Sequence, residues 1–210
     1  MTKERFLNIG KKVHYFYNIK DDESRPTVIF LHGKSFKAET WMTIKTDEFL
    51  DRLKFNFIAV DYPGWGLSES NEEYYPIDEK ADNAGRFISK FINELKISNI
   101  ALVGASFSVP FVVNYALQKD SNVNALILVG GVWNDNLRPH LDKIKIPTLI
   151  IYGEKDKTVG LEPAYNYKRY IEHSIMEIVK NSGHPVYLDN TEEFFQIFSN
   201  FLNNYFVQNK

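Results

Sequence analysis

Cysteine is missing from all 210 residues, which excludes a thiol nucleophile, disulfide bridges and cysteine-ligated metal. An excess of charge is missing too. Lys and Arg number 25 against 27 Asp and Glu, a formal net charge of −2, so no basic field is available to hold nucleic acid or an anionic membrane surface. No stretch approaches the roughly 18 consecutive apolar residues of a membrane span. The amino terminus, Met1-Thr2-Lys3-Glu4-Arg5, lacks the apolar segment of a secretory leader, and a cytoplasmic protein is expected. Long linkers, internal repeats and low-complexity tracts are likewise absent. What remains is ordinary globular composition, 44% hydrophobic and 25% charged, with enough chain for one domain spanning residues 1–210.

The apolar residues fall into two kinds of pattern. Lys12 to Ile19 alternates (Val13, Tyr15, Tyr17, Ile19) and reads as a half-exposed antiparallel strand. From Thr27 onward the runs are continuous: Thr27–Leu31, Phe57–Val60, Ile100–Val103, Ala125–Val129 and Thr148–Tyr152. Strands of that kind are covered on both faces, as in a parallel sheet flanked by helices. Between them, Ala81, Ala84, Ile88, Phe91, Ile92 and Leu95 recur at helical spacing. Phe194, Phe198, Phe201 and Tyr205 do the same near the end, with Thr191 as the expected N-cap ahead of Glu192 and Glu193. The expected fold is α/β, a mostly parallel, doubly wound sheet.

Such a sheet carries its chemistry in loops at the carboxyl ends of its strands. The run ending at Val103 continues as Gly104-Ala105-Ser106-Phe107-Ser108 and enters a helical stretch, the strand–turn–helix setting of a nucleophile elbow. The usual elbow ends in Gly, and Ser108 stands there instead. The run ending at Leu31 continues as His32-Gly33-Lys34-Ser35, where a Gly turn leaves backbone N–H groups free to face an oxyanion. Lys34 is the first choice of donor, Ser35 the fallback, and the Phe107 N–H the second donor. His32 reads as a structural hydrogen-bonding residue, and Asp61, opening Tyr62-Pro63-Gly64-Trp65-Gly66, as an anchor of its loop.

The later loops supply an acid and a base. Gly153-Glu154-Lys155-Asp156 extends the strand Thr148–Tyr152, and Ser182-Gly183-His184-Pro185 follows a strand pattern at Ile175, Glu177 and Val179. The order Ser106, Asp156, His184 suits a Ser-His-Asp triad. Glu154 and Asp135 are the rival acids. Asp156 is preferred because its turn directly extends a buried strand, whereas Asp135 suits an N-cap for Asn136–Asp142.

These phrases carry a resemblance. Leu31-His32-Gly33-Lys34-Ser35-Phe36 through Glu39-Thr40-Trp41, Asp61 through Gly66, Ser106-Phe107-Ser108-Val109-Pro110-Phe111, and Gly183 through Asp189 together resemble the α/β-hydrolase superfamily. More narrowly the chain is similar to small, lidless members of the "interacting factor B" (CIB) type. The resemblance spans nearly the whole chain and implies a Ser-His-Asp hydrolase of small acyl esters, with Ser tolerated at position 108.

Only Gly130 to Pro147 separates the two strands between which many relatives insert a helical lid. The resulting open cleft suits a small acyl substrate or an acyl group presented on a larger molecule. Phe36, Trp41, Trp65, Trp133 and Val159 are its candidate walls, beside Phe107. The chemistry requires no metal and no organic cofactor. Thioester or amide hydrolysis, acyl transfer, and a non-enzymatic receptor on the same scaffold are the alternatives.

Overall fold

The computed structural model describes residues 1–20, 22, 25–75 and 77–206. Its centre is an eight-stranded sheet in the order β1-β2-β4-β3-β5-β6-β7-β8. The strands are β1 (Lys3–Asn8), β2 (Lys12–Asn18), β3 (Thr27–Leu31), β4 (Asn56–Val60), β5 (Ile100–Ala105), β6 (Val123–Val129), β7 (Thr148–Gly153) and β8 (Ser174–Val179). β3 to β8 run parallel, while β2 is antiparallel to both β1 and β4. The helices are α1 (Glu39–Thr43), α2 (Thr46–Arg52), α3 (Asp82–Leu95), α4 (Val109–Leu117), α5 (Glu162–Tyr170), α6 (Val186–Asp189) and α7 (Thr191–Phe201).

The continuous apolar runs are explained by two cores, one on each face of the sheet. Ile29, Leu31, Ile58, Val60, Leu102, Leu126, Leu128 and Ile150 point to one side and pack under α3, α4 and α5. Their alternates Val28, Phe30, Phe57, Ala59, Ala101, Val103, Ala125, Ile127, Leu149 and Ile151 point to the other, under α1, α2, α6 and α7. Successive strand residues face opposite ways, so a strand buried on both faces has no polar alternate to spare. Between β6 and β7 the chain forms only a short 3₁₀ helix, Arg138–Lys143, and among the described residues no lid domain covers the sheet. Among the described residues, no helix is long and apolar enough to cross a membrane.

Three details depart from the sequence pattern. β2 is not half-exposed: β1 covers its outer edge, and His14 and Tyr15 are buried. Thr191 is not the cap of α7. The Asn190 side chain accepts the Glu193 N–H at 3.3 Å and its amide reaches the Glu193 carboxylate at 2.7 Å, while the Thr191 hydroxyl turns back to the Tyr187 carbonyl. Thr191 is already the first helical residue, so its oxygen cannot reach the next turn as a cap must. The apolar stripe also ends early, because α7 stops at Phe201 and Tyr205 lies 43% exposed in the wider turn that follows.

Candidate active site

β5 turns into its helix through Ser106, whose φ of 52° lies in the left-handed region. A non-glycine residue there carries strain on the order of 1–2 kcal/mol, and the surroundings hold it. The Ser106 carbonyl accepts the Val132 N–H at 3.2 Å. Ser108, the residue that breaks the usual pattern, is fully buried; its hydroxyl accepts the Ala105 N–H at 2.9 Å and faces the Ala105 carbonyl at 3.1 Å. It therefore ties the elbow shut, which a glycine cannot do. Gly104 has no such freedom: a Cβ there would meet Val112 at 2.8 Å and the Ser108 carbonyl at 2.9 Å.

On the other side of the site, two loops are stitched together by main chain. Glu154 N–H donates to the Val179 carbonyl at 2.9 Å, Lys155 N–H to the Ser182 carbonyl at 2.8 Å, and Asn181 N–H to the Glu154 carboxylate at 3.0 Å. Gly153 makes this possible, since a Cβ would fall 2.1 Å from the Gly183 carbonyl. The Gly183 N–H is held in turn by the Asp189 carboxylate at 2.7 Å.

The stitching brings three side chains into line. Asp156 is fully buried at its side chain; Oδ1 accepts the N–H groups of Thr158 (2.8 Å) and Val159 (3.0 Å), and Oδ2 faces His184 Nδ1 at 2.7 Å. His184 Nε2 stands 2.8 Å from Ser106 Oγ. A carboxylate with its second oxygen occupied by two backbone donors has one orientation left, and it fixes the imidazole. The rival acids lie elsewhere. Glu154 is exposed and turned to the Asn181 N–H. Asp135 is exposed, accepting the Trp133 indole N–H at 2.8 Å, and it caps no helix: the Asn136 N–H goes to the Asn134 side chain, and the 3₁₀ helix begins only at Arg138.

The β3 loop leans on the elbow. A Cβ at Gly33 would lie 3.5 Å from Ser106 Cβ and 3.3 Å from the Phe36 ring. The Gly33 carbonyl receives the Phe36 N–H at 3.0 Å and the His32 Nδ1–H at 2.8 Å. His32 Nε2 accepts the Tyr62 N–H at 3.1 Å, so the ring is neutral; burial, first of all, pushes its pKa below the usual histidine value. Asp61 bonds main chain as expected, accepting Ala38 N–H at 2.7 Å and Leu67 N–H at 3.0 Å.

Sequence reasoning missed what completes this side. His14 of β2, 1% exposed, holds Asp61 Oδ2 through Nδ1 at 2.8 Å, and the Trp65 indole N–H donates to the Lys34 carbonyl at 2.7 Å. The phenol of Tyr152 pins the Gly131 carbonyl at 2.6 Å, and that of Tyr167 pins the Val132 carbonyl at 2.8 Å.

Of the five candidate cleft walls, Trp41 is misplaced. It is 0% exposed in the core beneath the loops, stacked on Tyr187 with centroids 4.4 Å apart, because the α1 turn it sits on points inward. Phe36 and Trp65 adjoin the β3 loop and are half-buried. Trp133 follows β6 with its ring against Tyr167, and Val159 follows Asp156 on the β7 loop.

Comparison with known proteins converges on one family. A family model described as alpha/beta hydrolase fold matches residues 26–141. The chain is 29% identical to the Mus musculus protein ABHD14A over 173 residues, covering 81% of this chain and 67% of that one. It is 28% identical over 170 residues to Rattus norvegicus ABHD14B, provisionally named a protein-lysine deacylase, covering 80% and 79%. The crystal structure of a predicted CIB-like hydrolase from Thermoplasma acidophilum superimposes with a TM-score of 0.90 at 31% identity, covering 97% of this chain and 99% of that one.

Proposed function

We propose that this chain, which belongs to the alpha/beta hydrolase fold family, is a serine hydrolase that cleaves small acyl esters through an acyl-enzyme. One observation carries the reading: the unbroken line from Ser106 Oγ to His184 Nε2 at 2.8 Å and from His184 Nδ1 to Asp156 Oδ2 at 2.7 Å, with Ser106 on a left-handed turn. In this assignment the Ser106 Oγ–H proton passes to His184 Nε2 as Oγ bonds to the acyl carbon. The carbonyl oxygen takes up the displaced electron pair. Collapse of that intermediate breaks the ester C–O bond, and His184 returns the proton to the departing alkoxide. Water then repeats the sequence on the acyl-enzyme and frees the acid. Asp156 keeps the imidazole in the Nδ1–H tautomer and stabilises the imidazolium.

The oxyanion falls to the N–H groups of Lys34 and Phe107. The first N–H groups of a helix have no intrahelical partner, which leaves the Phe107 N–H free at the start of its turn. Among the described residues the Lys34 N–H donates to no protein acceptor either. Phe36, Trp65, Trp133 and Val159 border the cleft. Without a lid, little of a long acyl chain would be buried, so short acyl groups or acyl groups carried by a larger molecule are the favoured substrates.

The likeness to ABHD14B favours a second reading, hydrolysis of acyl amides on lysine side chains by the same three residues. An active-site fluorophosphonate probe tests the common core of both. The folded wild type should be labelled, and Ser106→Ala should lose both labelling and turnover, the latter by roughly 10⁴-fold or more. Unlabelled wild type would overturn the serine-hydrolase reading. Turnover of a p-nitrophenyl acetate against an acetyl-lysine peptide then decides between ester and amide.

A further inference from the structure

Two successive peptide planes of the β3 loop, which lies against the Ser106 elbow, are each held by a different side chain. In a trans peptide the C=O and the following N–H point in opposite directions, so a bond to a carbonyl also aims the N–H of the next residue. The Gly33 carbonyl, held by His32 and by the Phe36 N–H, aims the Lys34 N–H. The Lys34 carbonyl, held by the Trp65 indole at 2.7 Å, aims the Ser35 N–H and blocks rotation of the plane between them. Trp65 comes from a separate loop, 31 residues away in sequence. Its ring also packs on Phe107, centroids 5.4 Å apart, and is braced from outside by Tyr75 at 5.3 Å. One side chain thus touches both segments that supply oxyanion donors in the reading above.

From this we propose that Trp65 is a positioning residue of the oxyanion site: its N–H locks the β3 loop while its ring locks Phe107, setting the distance between the two donors. The inference rests on the serine-hydrolase reading. It concerns the hydrogen bond as well as the ring, because a preorganised donor pair stabilises charge only where its geometry is held before reaction.

The experiment separates the two contributions. Trp65→Phe keeps an aromatic ring without an N–H donor, and site-specific incorporation of 3-benzothienylalanine at position 65 keeps the full shape with sulfur in place of N–H. Each should lower kcat for a p-nitrophenyl ester about tenfold with KM and melting temperature near wild type. Affinity for a trifluoromethyl ketone, which forms a charged tetrahedral adduct with the serine, should fall by the same factor. A kcat and ketone affinity equal to wild type in the benzothienylalanine protein would overturn the proposal. So would a drop in melting temperature with KM and kcat shifting together, since that marks a merely structural tryptophan. A wild type that neither turns over ester nor labels at Ser106 overturns the underlying reading, and this one with it; an active wild type with indifferent position-65 variants overturns this one alone.

Discussion

The two flanks of Ser106 differ in how much backbone-to-backbone bonding joins their loops. On the β7–β8 flank, two backbone–backbone bonds, to the Val179 and Ser182 carbonyls, join the loops that bring Asp156 and His184 together, beside the carboxylate contacts of Glu154 and Asp189. On the β3–β4 flank the loops are held by side chains reaching into main chain: His32 to Gly33, Trp65 to Lys34, Asp61 to Ala38 and Leu67, and His14 behind Asp61. Backbone stitching survives most substitutions, whereas side-chain struts fail one residue at a time. If Asp156 and His184 serve as acid and base and the β3 loop supplies oxyanion donors, as proposed above, the first flank (the acid–base flank) is vulnerable in its chemistry and the second (the donor flank) in its architecture.

The largest effect should come from a change of chemistry with geometry intact. Asp156→Asn keeps the acceptor oxygen for Thr158 and Val159 but can present an amide to His184, favouring the wrong tautomer. We expect kcat to fall roughly 10³–10⁴-fold with a melting temperature close to wild type. Asp135→Asn, on an exposed turn, should stay within about twofold. Steady-state kinetics and thermal melts of the pair decide it, and a larger loss from Asp135→Asn would reassign the acid.

A smaller effect on rate but a larger one on stability should follow from Asp61→Ala. The substitution strands the Ala38 and Leu67 N–H groups and buried His14 at once. Each orphaned donor costs about 1–3 kcal/mol, so a total of about 3–5 kcal/mol is expected from urea unfolding at neutral pH, since neighbouring losses do not add fully. A loss below about 1 kcal/mol would show that the donor flank does not depend on its struts.

The same contrast explains how much was legible in the sequence. Continuous runs such as Thr27–Leu31 and Ala125–Val129 announce a doubly covered sheet because both faces demand apolar residues, and the strand-end loops after them fall in chain order. Ser106, Asp156 and His184 were singled out by the motif each loop carries (the strand–turn–helix elbow, the turn extending Thr148–Tyr152, the Gly183-His184 pair) together with that order. β1 was not, because a solvent-facing edge strand reads Lys-Glu-Arg and shows no apolar period. Trp41 was misread because its position in a motif-bearing segment says nothing about which way a short helix turns its ring. The struts were invisible for a different reason: a bond between a side chain and a distant carbonyl has no local pattern, and His14 to Asp61 or Trp65 to Lys34 becomes evident only once strands 2, 3 and 4 are side by side.

The smallest expected effect tests whether the donor flank is also the acid-sensitive one. His32 accepts the Tyr62 N–H at Nε2 and so must be neutral in the folded protein, and burial lowers its pKa from the ordinary value. In the unfolded chain the ring titrates near about 6.5. Above that pH both states are neutral and His32 contributes no pH dependence. Below it the unfolded state takes up a proton that the native state refuses, so stability falls with pH, by at most on the order of 1 kcal/mol per pH unit from this residue. The slope disappears once the pH drops under the lowered native value, where both states are protonated. His32→Gln retains an acceptor for the Tyr62 N–H without a group that titrates in this range. Urea midpoints between pH 7.5 and 5 should therefore fall less steeply for His32→Gln than for wild type, even if the variant starts lower. Parallel slopes would move acid sensitivity off this strut and leave the donor flank no more pH-dependent than the stitched one.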